Sequence, residues 1–222
     1  MPMRTVKVKI CGITNEKDLA MVCNMGADAV GFVVGVPNSP RNLPLEKAKG
    51  LFRRVPTSVR SVLVVVPQSS EALLKLYEEL KPNVIQIHGG SISETIALKQ
   101  KFPNAILVRS ISVKSEEAVQ KAVKAAKIFD AVHVDSWAAG RYGGTGLTHE
   151  WAFSRRIREA IYPKPLILAG GLTSENVKEA VETVKPYAVD VSTGVEVKPG
   201  VKDPLKVEAF IRNAKRAFLT DS

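Results

Sequence analysis

Short apolar runs and amphipathic stretches alternate eight times along this chain, and no other feature constrains its fold so tightly. The first run, Val6-Lys7-Val8-Lys9-Ile10-Cys11, alternates apolar and polar residues and breaks at Gly12. That period belongs to a strand, with Val6, Val8 and Ile10 on one face and Lys7, Lys9 and Cys11 on the other. Ala29 to Val34 is a continuous apolar run, as a buried parallel strand requires. Further strands are expected at 61–66, 84–88, 105–111, 131–135, 166–169 and 188–192. Helical patterns follow each: to about Asn24 behind a Thr14 or Asn15 cap, then 45–54, 69–80, 93–102, 115–129, 148–161, 173–184 (capped by Thr173 or Ser174) and 204–218.

Strict strand-then-helix order implies a parallel sheet covered by helices. Eight such units in 222 residues imply a closed (β/α)8 TIM barrel, an α/β fold, with residues 1–222 as a single domain. No linker or low-complexity stretch interrupts the series. The competing fold is an open doubly wound sheet. Its dinucleotide-binding form needs G-x-G-x-x-G at the first turn, where this chain reads Cys11-Gly12-Ile13-Thr14.

The formal net charge of +10 favours an anionic partner. Only 6% of residues are aromatic and none interleave with a basic run, so a single-strand nucleic-acid platform is not expected. No apolar run is long enough to span a membrane, and Met1-Pro2-Met3-Arg4 begins no apolar signal region. Cys11 and Cys23 would lie at opposite ends of the first unit, too far apart to bridge, which fits a reducing cytoplasm. The expected partner is thus a small anionic substrate rather than nucleic acid or membrane, with the chain a monomer or a homodimer.

In such a barrel the site lies at the carboxyl ends of the strands. Reading outward from those ends gives Cys11, the loop with Arg41, His88, Arg109, Asp135, Gly170-Gly171 and Ser192-Thr193-Gly194. Each has a plain structural explanation on its own: a small buried thiol, a loop brace, a solvated arginine, a satisfied histidine. Their joint placement is what points to a site. Parity puts Lys9 beneath Cys11, Gln86 beneath His88, His133 beneath Asp135 and Asp190 beneath Ser192. A buried lysine needs an anion. Strand eight neighbours strand one once the barrel closes, so an ion pair between Lys9 and Asp190 is expected. His133 is expected to be hydrogen-bonded beneath Asp135 and to bear on its proton affinity. His88, His133 and His149 stand on separate units and match no metal-ligand spacing.

The glycines after strands seven and eight carry a stronger signal. Loops in those positions form the recurrent phosphate site of these barrels, because glycine lets backbone N–H groups approach an anion. Gly170, Gly171, Ser192, Thr193 and Gly194 are the candidate phosphate-binding residues.

Several segments, in order, resemble the phosphoribosylanthranilate isomerase family: Lys9-Ile10-Cys11-Gly12-Ile13-Thr14, Gly26-Ala27-Asp28-Ala29-Val30-Gly31-Phe32, Ser39-Pro40-Arg41, Gln86-Ile87-His88-Gly89, Asp135, Gly143-Gly144-Thr145-Gly146, Ala169-Gly170-Gly171-Leu172 and 188–196. The resemblance covers nearly the whole chain. It implies a cofactor-free step of tryptophan biosynthesis, the Amadori rearrangement of N-(5-phosphoribosyl)anthranilate to 1-(2-carboxyphenylamino)-1-deoxyribulose 5-phosphate. It further implies Cys11 as general base, Asp135 as general acid, and Arg41 at the anthranilate carboxylate; His88 and Arg109, read from the strand ends, join Arg41 as candidate substrate-binding residues at the mouth. Chemically, Lys9 is expected to favour the Cys11 thiolate, and that thiolate to raise the proton affinity of Asp135. Two rivals are the histidine-pathway isomerase, which resembles a protein with aspartates at both catalytic strand ends, and a non-catalytic phosphosugar-binding barrel. Cys11 argues against the first, and Cys11 with Asp135 against the second.

Overall fold

The computed structural model describes residues 5–89, 99–113, 115–136 and 148–217. Eight parallel strands form one sheet: β1 (Lys7–Cys11), β2 (Ala29–Val34), β3 (Arg60–Val65), β4 (Val84–Ile87), β5 (Ile106–Val113), β6 (Ala131–Ser136), β7 (Leu166–Ala169) and β8 (Ala188–Val191). Neighbours follow chain order, and β1 pairs with both β2 and β8, so the sheet closes on itself. Among the described residues, seven helices are given from end to end between or after the strands: α1 (Glu16–Asn24), α2 (Leu45–Phe52), α3 (Ser70–Leu80), α4 (Glu117–Ala126), α5 (Thr148–Ile161), α6 (Val177–Val184) and α7 (Pro204–Arg216). Most of the helix expected at 93–102, the glycine-rich loop before α5 and the end of the helix expected at 204–218 fall outside the described residues.

Local chemistry starts the helices much as the sequence suggests. Asn15 caps α1 by accepting from the Asp18 N–H, Ser69 caps α3 through the Ala72 N–H, and Asp203 caps α7 just ahead of Pro204. α6 begins later than expected. The chain first makes a turn in which the Asn176 side chain accepts from the Thr173 N–H, and helix follows from Val177.

Two apolar layers result from strand alternation. One packs the outward strand residues against the helices and includes the fully buried Phe32, Phe102, Phe129 and Phe210. Burying each such ring contributes about 1.5–3 kcal/mol. The other fills the barrel with Val33, Val62, Val64, Val84, Val108 and Ala131. The same inward parity that delivers these valines also delivers Lys9, Gln86, His133 and Asp190 to the interior.

Beyond β8 the chain makes a single 3-10 turn at Thr193–Val195 and a small antiparallel hairpin, Glu196–Lys198 with Val201–Lys202, before α7. A two-residue strand, Asn42–Leu43, pairs alongside the end of β2. These two additions hold the loops that surround the barrel mouth.

Candidate active site

Lys9 and Asp190 are partners in the β1–β8 register, and their side chains meet in the interior with Lys9 Nζ 2.7 Å from Asp190 Oδ2. Lys9 Nζ also donates to Gln86 Oε1 at 2.9 Å. That bond fixes the Gln86 amide, whose nitrogen then donates to His88 Nε2 at 2.9 Å. On the other side, His133 Nε2 lies 3.0 Å from Asp190 Oδ2, and His133 Nδ1 2.7 Å from Ser110 Oγ. Five strands (β1, β4, β5, β6 and β8) thus share one polar network.

The groups in this network set one another's charge. Burial works against the Lys9 ammonium, but Asp190 and, beyond it, Cys11 hold the proton on and raise its pKa. Burial likewise opposes the Asp190 charge, and Lys9 and His133 overcome it, holding this carboxyl far below the usual range. Burial, with His133 and Lys9 adding repulsion, pushes His88 down to about 3. His88 is therefore neutral at pH 7, and with Nε2 accepting from Gln86 its Nδ1 carries the proton.

One step further along β1 and β6 stand Cys11 and Asp135. Cys11 is a free, half-buried thiol. Its β2 neighbour in register is Gly31, where a Cβ would come within 2.8 Å of Cys11 Sγ and 3.0 Å of Lys9 Cε. The missing side chain makes the space the thiol occupies. Burial pushes the Cys11 pKa up and Asp190 adds to it, while Lys9 and Lys202 pull the other way without cancelling the rise. Lys9 favours the thiolate, as expected, but desolvation outweighs it. The proton affinity of Asp135 is raised, as expected, though for a different reason. Burial dominates, Asp190 adds to it, and His133 and Lys9 oppose it.

Arg41 reaches across the mouth from the loop after β2. Its stem passes so close to Gly12 that a Cβ there would lie 2.4 Å from Arg41 Cδ. Its guanidinium grips Glu196 through Nε (2.8 Å) and Nη2 (2.5 Å) and donates from Nη2 to Thr193 Oγ1 at 3.0 Å. Lys202, fully enclosed, shares Glu196 at 2.8 Å and donates to the Ser192 carbonyl at 3.3 Å. Two cations thus share one carboxylate beside the β8 loop. Glu196 and Lys202 were not among the candidates from sequence; the cues were their place just after strand eight and, for Glu196, the resembling segment 188–196.

The glycine loops lie together. Gly170 and Gly171 both have positive φ, which glycine adopts without strain. Gly194 is pressed against the loop after β7, where a Cβ would come 2.0 Å from the Leu172 carbonyl oxygen. Ser192 Oγ is buried with no hydrogen-bond partner among the described residues.

Arg109 is placed differently from the mouth position expected of it. β5 runs on to Val113, so Arg109 is mid-strand, and its register partners Ile87 and Val132 are outward-facing. Its guanidinium donates to the carbonyls of Ile87 and Gly89, bracing the end of β4. Ser110, the next residue, is the one that faces the interior network.

A closed parallel barrel with titratable groups gathered at the carboxyl ends of its strands is the architecture of a (β/α)8-barrel enzyme. Comparison with known proteins makes this specific. Residues 8–213 match the family model described as N-(5'-phosphoribosyl)anthranilate (PRA) isomerase. The N-(5'-phosphoribosyl)anthranilate isomerase of Methanosarcina acetivorans is 42% identical, over 96% of this chain and 94% of its own. The crystal structure of phosphoribosyl anthranilate isomerase from Thermotoga maritima superimposes with a TM-score of 0.84 at 35% identity, over 95% of this chain and 98% of that one. A structure of phosphoribosyl anthranilate isomerase in complex with reduced 1-(o-carboxyphenylamino)-1-deoxyribulose 5-phosphate does so at 0.80 and 33% identity, over 95% of this chain and 98% of that one. The chain belongs to the phosphoribosylanthranilate isomerase family, enzymes of tryptophan biosynthesis.

Proposed function

We propose that this isomerase works with Asp135 as general acid and Cys11 as general base, on N-(5-phosphoribosyl)anthranilate held by its phosphate at the loops after β7 and β8. One observation carries the reading. Cys11 and Asp135 face inward at the carboxyl ends of β1 and β6, and the same buried Lys9–Asp190–His133 cluster acts on the charge of Asp135 while its Lys9 and Asp190 act on Cys11.

The chemistry follows from these positions. Asp135 in its protonated form, which burial favours, gives its proton to the furanose ring oxygen as the bond from that oxygen to C1 breaks. The anilino nitrogen lone pair completes a protonated Schiff base at C1. The iminium acidifies the C2 hydrogen, and Cys11 in its thiolate form removes it. The released pair forms the C1–C2 double bond and the imine electrons return to nitrogen. C1 then gains a proton as the enol hydroxyl loses one, giving the ketone. General acid–base steps of this kind each contribute about 10²–10⁴-fold.

The substrate phosphate is assigned to Gly170, Gly171, Ser192, Thr193 and Gly194, supported by the paired positive-φ glycines and the close approach of the two loops. The anthranilate carboxylate is assigned to the neighbourhood of Arg41, with the Nδ1–H of His88 as a further donor at the mouth. Arg41 is held in place by Glu196 rather than loose in solvent, which pre-orders its position. Arg109 has no direct part in this scheme.

Alkylation tests the thiol directly. In a Cys23→Ser background, iodoacetamide at pH 9 is expected to abolish turnover in step with modification of Cys11, and the reduced product analogue to slow both. Full modification of Cys11 with turnover intact would remove it from the mechanism.

A further inference from the structure

His133 is 2% exposed, and its two ring nitrogens are both engaged, Nδ1 with Ser110 and Nε2 with Asp190. A fully buried histidine beside a barrel layer of Val33, Val62, Val64, Val84, Val108 and Ala131 needs a reason. No step of the scheme above uses it. Yet it touches the carboxylate whose charge reaches both reacting groups: Asp190 raises the proton affinity of Cys11 and of Asp135 alike.

We propose that Ser110 and His133 form a positioning relay that fixes Asp190 against Lys9 and thereby sets the balance of proton affinity between Cys11 and Asp135. The proposal rests on the assignment of those two residues as base and acid. Geometry supports it in three ways. Asp190 Oδ2 receives both Lys9 at 2.7 Å and His133 at 3.0 Å, while Oδ1 is buried with no partner among the described residues. The carboxylate is therefore held by one oxygen, and its orientation depends on both donors. With Nε2–H donating to Asp190, the Nδ1 of a neutral ring accepts, so the Ser110 hydroxyl donates and selects that tautomer. Finally, His133 and Asp135 share one strand face, two residues apart, so the relay lies directly beneath the acid.

Among the described residues, the other groups facing His133 are few. β1 presents Lys9 and Cys11, β4 presents Gln86 and His88 (whose ring centroid is 5.8 Å away), and β8 presents Asp190. β2, β3 and β7 present Gly31, Val33, Val62, Val64, Ile167 and Ala169, none of which titrates. Removing the His133 donor leaves the Asp190 charge less compensated. That raises the proton affinity of both Cys11 and Asp135, on which the Asp190 charge bears.

The test compares the pH dependence of kcat/KM for wild type, His133→Leu, His133→Gln and Ser110→Ala. In His133→Leu both limbs are expected to move to higher pH, the acid limb by about one unit. His133→Gln, whose amide can donate to Asp190 without an imidazole, is expected to recover most of that shift. Ser110→Ala is expected to move the limbs the same way by less. The Cys11 thiol pKa, read from the pH dependence of iodoacetamide alkylation in a Cys23→Ser background, is expected to rise in His133→Leu. Limbs and thiol pKa unmoved in His133→Leu would overturn the relay. If that variant does not fold, unmoved limbs in Ser110→Ala would do so. Failure of the acid–base assignment shows separately, as turnover that survives Cys11→Ala or Asp135→Asn.

Discussion

Lys9 and Asp190 face each other across neighbouring strands, 181 residues apart in sequence and 2.7 Å apart in the barrel interior. Both are enclosed, at 4% and 5% exposure, so neither charge is offset by water. Removing one partner leaves the other as an uncompensated buried charge, which costs about 3–5 kcal/mol. Lys9→Met and Asp190→Asn are each expected to lower stability on that scale in urea unfolding. Asp190 is depressed, so its stabilisation is complete above the pKa of an unfolded aspartate and fades as pH falls through the lowered folded value. Lys9 is raised, so its share is complete below the unfolded lysine pKa and is lost as pH rises through the raised value.

Gly31→Ala separates activity from stability. The new methyl would meet the Cys11 sulfur at 2.8 Å and must displace it. The expected result is a loss of kcat of about tenfold or more, since small misplacements of reacting groups are costly. The accompanying fall in stability is expected to be about 1–3 kcal/mol, as for other overpacked sites. A thermal melt and a kcat determination on one preparation check both.

The Arg41 clamp gives a different outcome. Glu196→Ala removes the shared partner of Arg41 and of enclosed Lys202. Lys202 is then a buried cation without its carboxylate, and a loss of about 3 kcal/mol is expected. Arg41 loses its anchor, so KM is expected to rise more than kcat falls. Steady-state kinetics beside a urea titration distinguish the two effects.

How much of this could be read from sequence depends on how local each feature is. The eight strands are legible because alternation and apolar runs are local patterns, and barrel closure follows from their number. The Lys9–Asp190 pair is legible because parity and closure bring both to one interior. Arg109 is misplaced from sequence because β5 continues two residues past Ile111 to Val113, and mid-strand position reverses its significance. Glu196 is 155 residues from Arg41 and sits in a hairpin that no periodicity announces. The raised pKa of Cys11 is hidden because it comes from the balance of burial against charge, which only three-dimensional enclosure decides.

That balance predicts the shape of the pH–rate profile. The active form needs a Cys11 thiolate beside a protonated Asp135, yet the thiol has the higher pKa of the two, both being raised. Only a small, pH-independent fraction of the enzyme holds both protonation states at once between the two values. The profile of kcat/KM is expected to be a broad plateau, falling below the Asp135 pKa and above that of Cys11. Asp135→Glu, by shifting the acid alone, is expected to move the acid limb and leave the alkaline one.

The most direct measurement is the decay of anthranilate-ring fluorescence as freshly made phosphoribosylanthranilate is turned over by wild type, Cys11→Ala and Asp135→Asn in parallel. The acid–base assignment predicts rapid decay with wild type and a loss of about 10²-fold or more in each variant, with both variants folded. Decay at the wild-type rate in Cys11→Ala or in Asp135→Asn would contradict it.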